Sequence, residues 1–321
     1  MPEQQVFFSD YTLADELDLE ESILGPAGLT IIRTQAATEE EVLAALEGLD
    51  PVALVTQWAP ITPRVLDKCP HLKVVSRNGI GVDNIDLDYC RQRGIVVTNS
   101  PRYCTREVAD HAMALLLALS RKLLFTTDRV RAGEWTSEFL TPIRRLSECT
   151  LGVIGMGGIG RAVVERARPF FGEVIGHDAY PTDVVVAGQP VTMTSLDELL
   201  SRSDFVTLHV PGTPETTHLI NAARLAQMKP GAYLVNTCRG IVVDTEALVD
   251  ALRSGHLRGA GLDVFEHEPL PPDHPLRFFP EVIITPHVAY YSEEATADVR
   301  RDTCVNIVNV LAGRPPVNRV V

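Results

Sequence analysis

The chain has 321 residues, is 45% hydrophobic and carries a formal net charge of −13 at pH 7. Because one hydrophobic core rarely keeps growing to this length, the sequence predicts two domains. The acidic balance argues against direct nucleic-acid binding, and the lack of a ~20-residue apolar run or of a basic, apolar N-terminal signal predicts a soluble protein of the cytoplasm without a membrane span.

The first third of the chain alternates apolar, β-branched strands with amphipathic helices, which is typical of parallel sheets covered by helices on both faces. The helices carry start signals, since Thr38 and Glu41 have the spacing of a capping box and Thr62 precedes a proline at the first helical position. The predicted strands are residues 6–10, 29–33, 52–57, 73–77 and 95–99. These five strands are enough for one small domain.

A long helix is predicted over residues 105–122, apolar almost all round and therefore buried. A second alternating series follows, in which Ser195 with Glu198 forms another capping box and Asp244 caps a helix. Its predicted strands are residues 153–155, 174–178, 205–210, 233–237, 259–264 and 282–285. The last helix, 293–312, would return to the first domain. The prediction is a discontinuous domain of residues 1–101 and 290–321, and a second domain of residues 102–289.

Residues 151–160 read LGVIGMGGIG, an apolar strand that enters a glycine-rich turn and then a helix. Gly155 allows the tight turn, Gly157 lets backbone amides approach a pyrophosphate, and Gly160 lets the helix pack closely on the strand. The next strand ends at Asp178, eighteen residues past Gly160, where a carboxylate can accept both ribose hydroxyls of NAD. Since no Arg or Lys stands nearby to neutralise a 2′-phosphate, the pattern favours NAD over NADP.

Four further segments follow one another along the chain. They are residues 77–86 (RNGIGVDNID), 236–240 (NTCRG), 261–269 (GLDVFEHEP) and 285–289 (TPHVA). With the glycine turn, they make the chain resemble the D-isomer-specific 2-hydroxyacid dehydrogenases from about Val52 onward. The resemblance implies an α/β protein of two doubly wound parallel-sheet domains, a flavodoxin-like substrate domain and a Rossmann NAD-binding domain, with a cleft between them.

Three residues are predicted to carry the chemistry. Arg239 stands at a predicted strand end, where its planar fork can hold the carboxylate of a 2-oxo acid bidentately. His287 has the chemistry to give a proton to the carbonyl oxygen and to take it back in the reverse direction. The resemblance makes Glu268 the partner that fixes the His287 tautomer, and Glu266 is a rival acid in the same segment. A surface arginine and a solvated histidine are the plain alternatives.

Substrate contacts are predicted at two further places. Asn78, Gly79 and Ile80 would present backbone amides to the substrate carboxylate, although an ordinary strand-to-helix turn would use the same glycines. The segment after His287, with residues 142–146, resembles the branch of the C-terminal-binding proteins, which carry a tryptophan where Tyr290 stands. Tyr290 keeps an aromatic wall and adds a hydroxyl, which favours a substrate with a polar group; a core or interface aromatic is an equal alternative.

The resemblance places Asp263 on the nicotinamide carboxamide and the backbones near Cys238 and Pro211 along the rest of the cofactor. Cys238 is not expected to be a nucleophile, because hydride transfer needs none. The six cysteines are scattered, and His267 and His274 lack a third ligand at suitable spacing, so we expect neither disulfides nor a metal site. The predicted cofactor-binding residues are Gly155, Gly157, Gly158, Ile159, Gly160, Asp178, Val210, Pro211, Thr237, Cys238 and Asp263.

The resemblance implies an NAD-dependent enzyme that interconverts a small 2-oxo acid and its D-2-hydroxy acid. The alternative from a different class is an NAD(H)-sensing dimeric scaffold with vestigial activity, and a third possibility is a variant that acts on formate or phosphite. A homodimer is expected from the resemblance and from the apolar 105–122 helix followed by an arm at 135–146. Because the sequence ends eight residues after Gly313, we expect no regulatory domain like that of long phosphoglycerate dehydrogenases.

Overall fold

The computed structural model describes residues 4–13, 16–140, 142–180 and 183–321. The strands of these residues are β1 (Gln4–Phe8), β2 (Leu29–Arg33), β3 (Ala53–Thr56), β4 (Val74–Arg77), β5 (Val96–Thr98), β6 (Thr150–Ile154), β7 (Glu173–His177), β8 (Val185–Val186), β9 (Gln189–Pro190), β10 (Thr192–Met193), β11 (Phe205–Leu208), β12 (Ala232–Asn236), β13 (Leu257–Leu262) and β14 (Val282–Ile284). The helices are α1 (Asp18–Leu24), α2 (Glu39–Ala45), α3 (Pro63–Asp67), α4 (Leu87–Arg93), α5 (Thr105–Ser120), α6 (Leu123–Arg131), α7 (Gly158–Ala167), α8 (Leu196–Arg202), α9 (Ala222–Gln227), α10 (Thr245–Arg253) and α11 (Glu293–Leu311).

The chain divides into two units. The first consists of Met1–Cys104 and Tyr291–Val321, and the second of Thr105–Tyr290. In the first unit the parallel sheet has the order β2-β1-β3-β4-β5, which is the flavodoxin-like arrangement. In the second, the order β10-β7-β6-β11-β12-β13-β14 places two strands, β7 and β10, on one side of β6 and four strands on the other, which is a Rossmann-like arrangement. The predicted α/β fold class is confirmed.

Each sheet is buried on both faces, as parallel sheets require. In β1, Val6 and Phe8 belong to one core, whereas Phe7 between them belongs to the core on the other face. Ile307 of α11 packs in the core of Val6 and Phe8, so the C-terminal helix covers one face of the first sheet. In the second unit α5 packs against α7 and β13, which buries its apolar side chains.

The predicted helix starts are largely confirmed. Thr38 and Glu41 form the reciprocal capping box of α2, Thr62 accepts from the amide of Val65 at α3, and Asp244 accepts from the amide of Ala247 at α10. The predicted box at Ser195 is half right. Ser195 accepts from the amide of Glu198, but the Glu198 side chain turns to Arg202 at 2.6 Å.

One other local prediction needs correction, and three short strands were not predicted at all. The helix predicted to reach residue 122 ends at Ser120, because Lys122 takes a left-handed backbone (φ 50°) and α6 begins at the next residue. The sequence also gave no sign of the antiparallel ribbon β8–β9 or of the short edge strand β10. These elements are two residues long, too short for a visible hydrophobic period. Within the predicted arm at 135–146, Thr141 lies outside the described residues.

None of the six cysteines, which all lie among the described residues, is in a disulfide, and all but Cys238 are buried. Among the residues that the structure describes, none of the helices combines the length and the apolar character needed to cross a bilayer.

Candidate active site

The glycine turn between β6 and α7 has a backbone that side chains would block. Gly155 has a left-handed φ of 93°, and a Cβ there would lie 2.3 Å from the carbonyl oxygen of His209. A Cβ on Gly160 would lie 1.9 Å from the oxygen of Gly155, so strand and helix touch at this point. A Cβ on Gly157, by contrast, would meet nothing within 4 Å. The turn therefore has no room for a side chain at Gly155 and Gly160, but it has open space at Gly157, where a pyrophosphate would approach.

The start of α7 carries no side-chain cap. Gly157 is its N-cap residue, and Gly158 and Ile159 open the helix, so the first-turn amides face outward together with the positive end of the helix dipole. A helix start of this kind can bind a phosphate group through its backbone amides and the helix dipole alone. The residues predicted for the NAD pyrophosphate therefore fit it.

Asp178 closes the other side of this turn. It follows β7, and its Oδ2 accepts from the amide of Met156 at 2.7 Å, while Oδ1 accepts from the amide of Tyr180 at 3.1 Å. The carboxylate thus lies against the glycine turn and is partly exposed. Since two oxygens offer about four acceptor sites, the carboxylate keeps acceptor sites that the ribose hydroxyls of NAD would need.

A row of residues one step past the carboxyl edge of the second sheet lines the site. The strand register pairs Ile154 with Leu208, Leu208 with Asn236, Asn236 with Leu262, and Leu262 with Ile284. The next residue on each strand belongs to the row, which consists of Gly155, His209, Thr237, Asp263 and Thr285. Three of the predicted cofactor residues are thus side by side, in the place where open α/β sheets bind ligands.

The middle of this row is buried and polar. Burial lowers the pKa of His209 to about 3, so its imidazole is neutral at physiological pH. Its Nε2 lies 3.0 Å from Thr207 Oγ1. Within the described residues, His209 Nδ1 and Thr237 Oγ1 have no hydrogen-bond partner. Val210 and Pro211 follow His209, and the Pro211 carbonyl accepts from Thr216 Oγ1 at 2.6 Å.

Asp263 is the anchor of the segment that carries His287. Its carboxylate is 1% exposed and accepts from Thr285 Oγ1 at 2.5 Å and from the amides of Val288 and Ala289 at 3.0 and 2.9 Å. Its own carbonyl accepts from the amide of His287 at 2.9 Å. These bonds hold His287 in a left-handed backbone with φ 55°. Asp263 therefore shapes this segment, beyond the cofactor contact that the resemblance implies.

His287 and Glu268 are in contact. His287 Nδ1 lies 2.7 Å from Glu268 Oε2, and the other oxygen of Glu268 accepts from the amide of Phe265 at 2.9 Å. Burial raises the pKa of Glu268, but the hydrogen bond and charge of His287, the Phe265 amide and the charge of Arg239 outweigh it and hold that pKa below 4.5. Glu268 is therefore a carboxylate at neutral pH, and it orients the imidazole.

Glu266, the rival acid, contacts a different histidine. Its Oε1 lies 2.6 Å from His218 Nε2, and its Oε2 accepts from the amide of Thr245 at 2.8 Å. The two acids of one loop thus point to separate partners, and Glu268 is the one at His287.

Arg239 follows β12 and Cys238 in a tightly packed turn. Its Nη1 donates to the carbonyl of Cys238 at 2.7 Å, and its charge is near enough to lower the pKa of Glu268. Burial raises the pKa of the Cys238 thiol, which keeps it protonated and unreactive at neutral pH. Tyr290 lies edge-on to His287, with ring centroids 6.5 Å apart.

The predicted substrate segment of the first unit follows β4. The amide of Asn78 donates to Thr56 O at 2.8 Å and that of Gly79 to Arg77 O at 3.0 Å, so both are already used inside the unit. Asn78 Oδ1 accepts from Thr303 Oγ1 at 3.1 Å. The substrate contacts of Asn78, Gly79 and Ile80 therefore stay a prediction, in which the amides of Asn78 and Gly79 would have to share or leave these bonds. The carbonyl of Ile80 accepts from Asn99 Nδ2 at 2.6 Å.

Sequence reasoning missed several residues of the site. His209 and Thr285 belong to the sheet-edge row, and His111 of α5 lies 3.0 Å from Thr285 Oγ1. Aligning the carboxyl ends of the predicted strands brings these positions to one edge, but the predicted ends at 210 and 264 miss His209 and Asp263 by one residue. His218 had no such signal, because it follows a loop whose course only the structure shows. His274, which the sequence did not indicate as a cap, accepts through Nδ1 from the amide of Leu276 and caps a short 3-10 turn.

Comparisons with known proteins agree with this geometry. Residues 113–289 match the family model of the NAD binding domain of D-isomer specific 2-hydroxyacid dehydrogenases. A glyoxylate reductase of Thermofilum pendens is 41% identical over 285 residues, which are 87% of this chain and 83% of that protein. A D-3-phosphoglycerate dehydrogenase of Methanocaldococcus jannaschii is 40% identical over 88% of this chain, but the match spans only 54% of that longer protein.

Among solved structures, the D-lactate dehydrogenase of Aquifex aeolicus, complexed with NAD and lactic acid, superimposes with a TM-score of 0.88 at 34% identity. The match covers 98% of this chain and 99% of that chain. The chain belongs to the D-isomer specific 2-hydroxyacid dehydrogenase family and is an NAD-dependent enzyme of that family.

Proposed function

We propose that this enzyme reduces a small 2-oxo acid to the D-2-hydroxy acid, and catalyses the reverse reaction, with Arg239, His287 and Glu268 as its catalytic residues. The observation that carries the proposal is the 2.7 Å contact between His287 Nδ1 and Glu268 Oε2. An imidazole held by a carboxylate on one nitrogen has its tautomer fixed, which is the arrangement of a general acid and base.

We assign a role to each of the three residues. With Nδ1 committed to Glu268, the Nε2 of His287 is the nitrogen that gives a proton to the carbonyl oxygen or takes it back. Glu268 stays ionised and stabilises the charged imidazolium before the proton leaves. Arg239 binds the substrate carboxylate through its planar fork and orients the neighbouring carbonyl. NADH, when bound at the glycine turn, supplies the hydride.

The substrate class rests on the relatives. A glyoxylate reductase and a D-lactate dehydrogenase both resemble this chain over most of their length. Both names point to 2-oxo acids with two or three carbons. We therefore propose glyoxylate and pyruvate as the first substrates to test, and we propose that Tyr290 and the Ile80 amide contribute to substrate binding.

The experiment follows NADH absorbance during incubation with glyoxylate, pyruvate, hydroxypyruvate and bulkier 2-oxo acids. His287→Asn should lower kcat by about 10²–10⁴, the usual contribution of a general acid, while the exposed His71→Asn of the first unit should not change it. Turnover that survives in His287→Asn would refute the assignment. Tight NADH binding without turnover of any acid by the wild type would favour the NAD(H)-sensing scaffold.

We also propose that the enzyme is a homodimer. The helix α6 and the residues after it expose large apolar side chains, with Leu123 at 53% and Trp135 at 89%. Exposed apolar patches of this kind mark interaction surfaces. Sedimentation of the wild type should give a dimer, and Leu123→Glu should give a monomer; a monomeric wild type would refute the proposal.

A further inference from the structure

The loop that carries Glu268 also carries Glu266, which forms a second histidine–glutamate pair with His218. Glu266 lies two residues earlier, and it contacts His218 at 2.6 Å and the first amide of α10, that of Thr245, at 2.8 Å. The side chain of Glu266 is 22% exposed and that of His218 is 44% exposed. The proposed chemistry does not use either of them.

His218 is joined to the turn that follows Arg239. Its amide donates to the carbonyl of Ile241 at 2.7 Å, and its backbone is left-handed with φ 49°. The same turn packs closely against the loop of Glu266 and Glu268, because a Cβ on Gly240 would lie 1.9 Å from the carbonyl carbon of Phe265. The bond between His218 and Glu266 therefore connects the Arg239 turn to the loop of Glu268.

Phe265 links the pair of His218 and Glu266 to Glu268. Its amide donates to Glu268 Oε1 at 2.9 Å, and the next residue is Glu266. If Glu266 loses its partners, the Phe265 amide is free to shift, and Glu268 loses one of the two bonds that hold it against His287. We propose that His218 and Glu266 form a clasp that positions Glu268, and through it His287, for proton transfer.

The charges of the clasp make it sensitive to pH. Burial raises the pKa of Glu266, but the bonds from Thr245 and His218 outweigh it and hold that pKa below 4.5. The hydrogen bond to Glu266 raises the pKa of His218 above 6.5 despite some burial, with help from the charges of Glu266 and Asp244. The charged pair is therefore complete between pH 4.5 and 6.5, and it is lost as the pH rises through the raised pKa of His218 or falls through the lowered pKa of Glu266.

The test uses Glu266→Gln and His218→Gln in the full chain, with His71→Gln as the matched control. The His71 side chain forms a comparable exposed pair with Asp50 in the first unit. At pH 6 the two clasp variants should lower kcat about two- to fivefold, the size expected for a partly exposed pair, with an unchanged Kd for NADH. In the wild type, kcat should lose the same factor as His218 is deprotonated, and the variants should lack this step.

A second measurement does not depend on turnover. Hydrogen exchange of the Phe265 amide, followed by NMR, should be faster in both clasp variants and unchanged in the control. An unchanged exchange rate, a kcat equal to wild type, or a kcat loss matched by weaker NADH binding would overturn the clasp.

The clasp rests on the proposed function of His287 and Glu268, and the two can fail separately. If the proposed function is wrong, the wild type shows no turnover that depends on His287. If only the clasp is wrong, the wild type turns over and depends on His287, while both clasp variants behave like the control.

Discussion

The turns after the first strands of the two sheets differ in what fills them. After β1, Asp10 is 5% exposed, and its carboxylate accepts from the amides of Gln57, Trp58 and Ala59. After β6, the turn has glycines instead, and α7 starts without a side-chain cap. In the first unit the carboxylate of Asp10 occupies the position in which an anion would accept from these amides. In the second unit no side chain caps the start of α7, so that position is open to an anion.

This difference shows why two parallel sheets of similar build need not bind the same ligand. The carboxyl edge of a doubly wound sheet offers backbone amides in both units, but an internal carboxylate satisfies them in one. The turn residues, more than the sheet, decide which edge receives a dinucleotide. Four predictions test this contrast.

The largest effect is expected at the second sheet's edge, from Arg239→Lys. A single ammonium cannot replace a bidentate fork, so kcat/KM for the 2-oxo acid should fall about tenfold to a hundredfold. Steady-state kinetics and NADH fluorescence measure this, and the Kd for NADH should stay nearly unchanged. Arg64→Lys, on an exposed arginine of the first unit, is the control. Unchanged turnover in Arg239→Lys would remove this residue from the site.

Substitutions of two glycines in the turn between β6 and α7 distinguish a role in packing from a role in cofactor binding. Gly160→Ala places a Cβ 1.9 Å from Gly155 O and should destabilise the protein by about 1–3 kcal/mol. Gly157→Ala has free space around the new Cβ, so the free energy of unfolding should change by less than about 0.5 kcal/mol. Its Kd for NADH should nevertheless rise about tenfold, because the methyl group meets the pyrophosphate. Equal NADH affinity in Gly157→Ala and wild type would show that the phosphates bind elsewhere.

Asp178→Ala should have a smaller effect, on the choice of cofactor. Removing the carboxylate takes away an acceptor for the ribose hydroxyls and a charge that repels a 2′-phosphate. The ratio of the Kd values for NADPH and NADH should narrow about fivefold, measured by fluorescence titration. Asp197→Ala, an exposed acid in the first turn of α8, is the matched control. An unaltered ratio would show that another acid selects the cofactor.

Asp10→Asn should leave NADH binding unchanged. Asparagine has one side-chain acceptor oxygen where aspartate has two, so some of the amides of residues 57–59 lose their partner. Denaturant unfolding should show a loss of about 1–3 kcal/mol. Weaker NADH binding by this variant would contradict the assignment of the two edges to different tasks.

The sequence predicted the fold class well, because strand and helix periods are local properties. The predicted strand 29–33 coincides with β2, and the others are displaced by a few residues at their ends. The caps at Thr38, Thr62 and Asp244 were visible because capping needs only a residue and its neighbours three positions on. The glycine turn was visible for a similar reason, since its glycines meet a steric requirement of one short loop.

The partners of side chains far apart in the chain were decided by the tertiary structure. The sequence offered Glu266 and Glu268 as rivals, and only the folded loop sends one to His218 and the other to His287. The row from Gly155 to Thr285 likewise depends on strand register, which the local pattern does not specify to the residue. Local backbone preferences can be read along a chain, but a hydrogen bond between distant residues depends on where the whole fold places both groups.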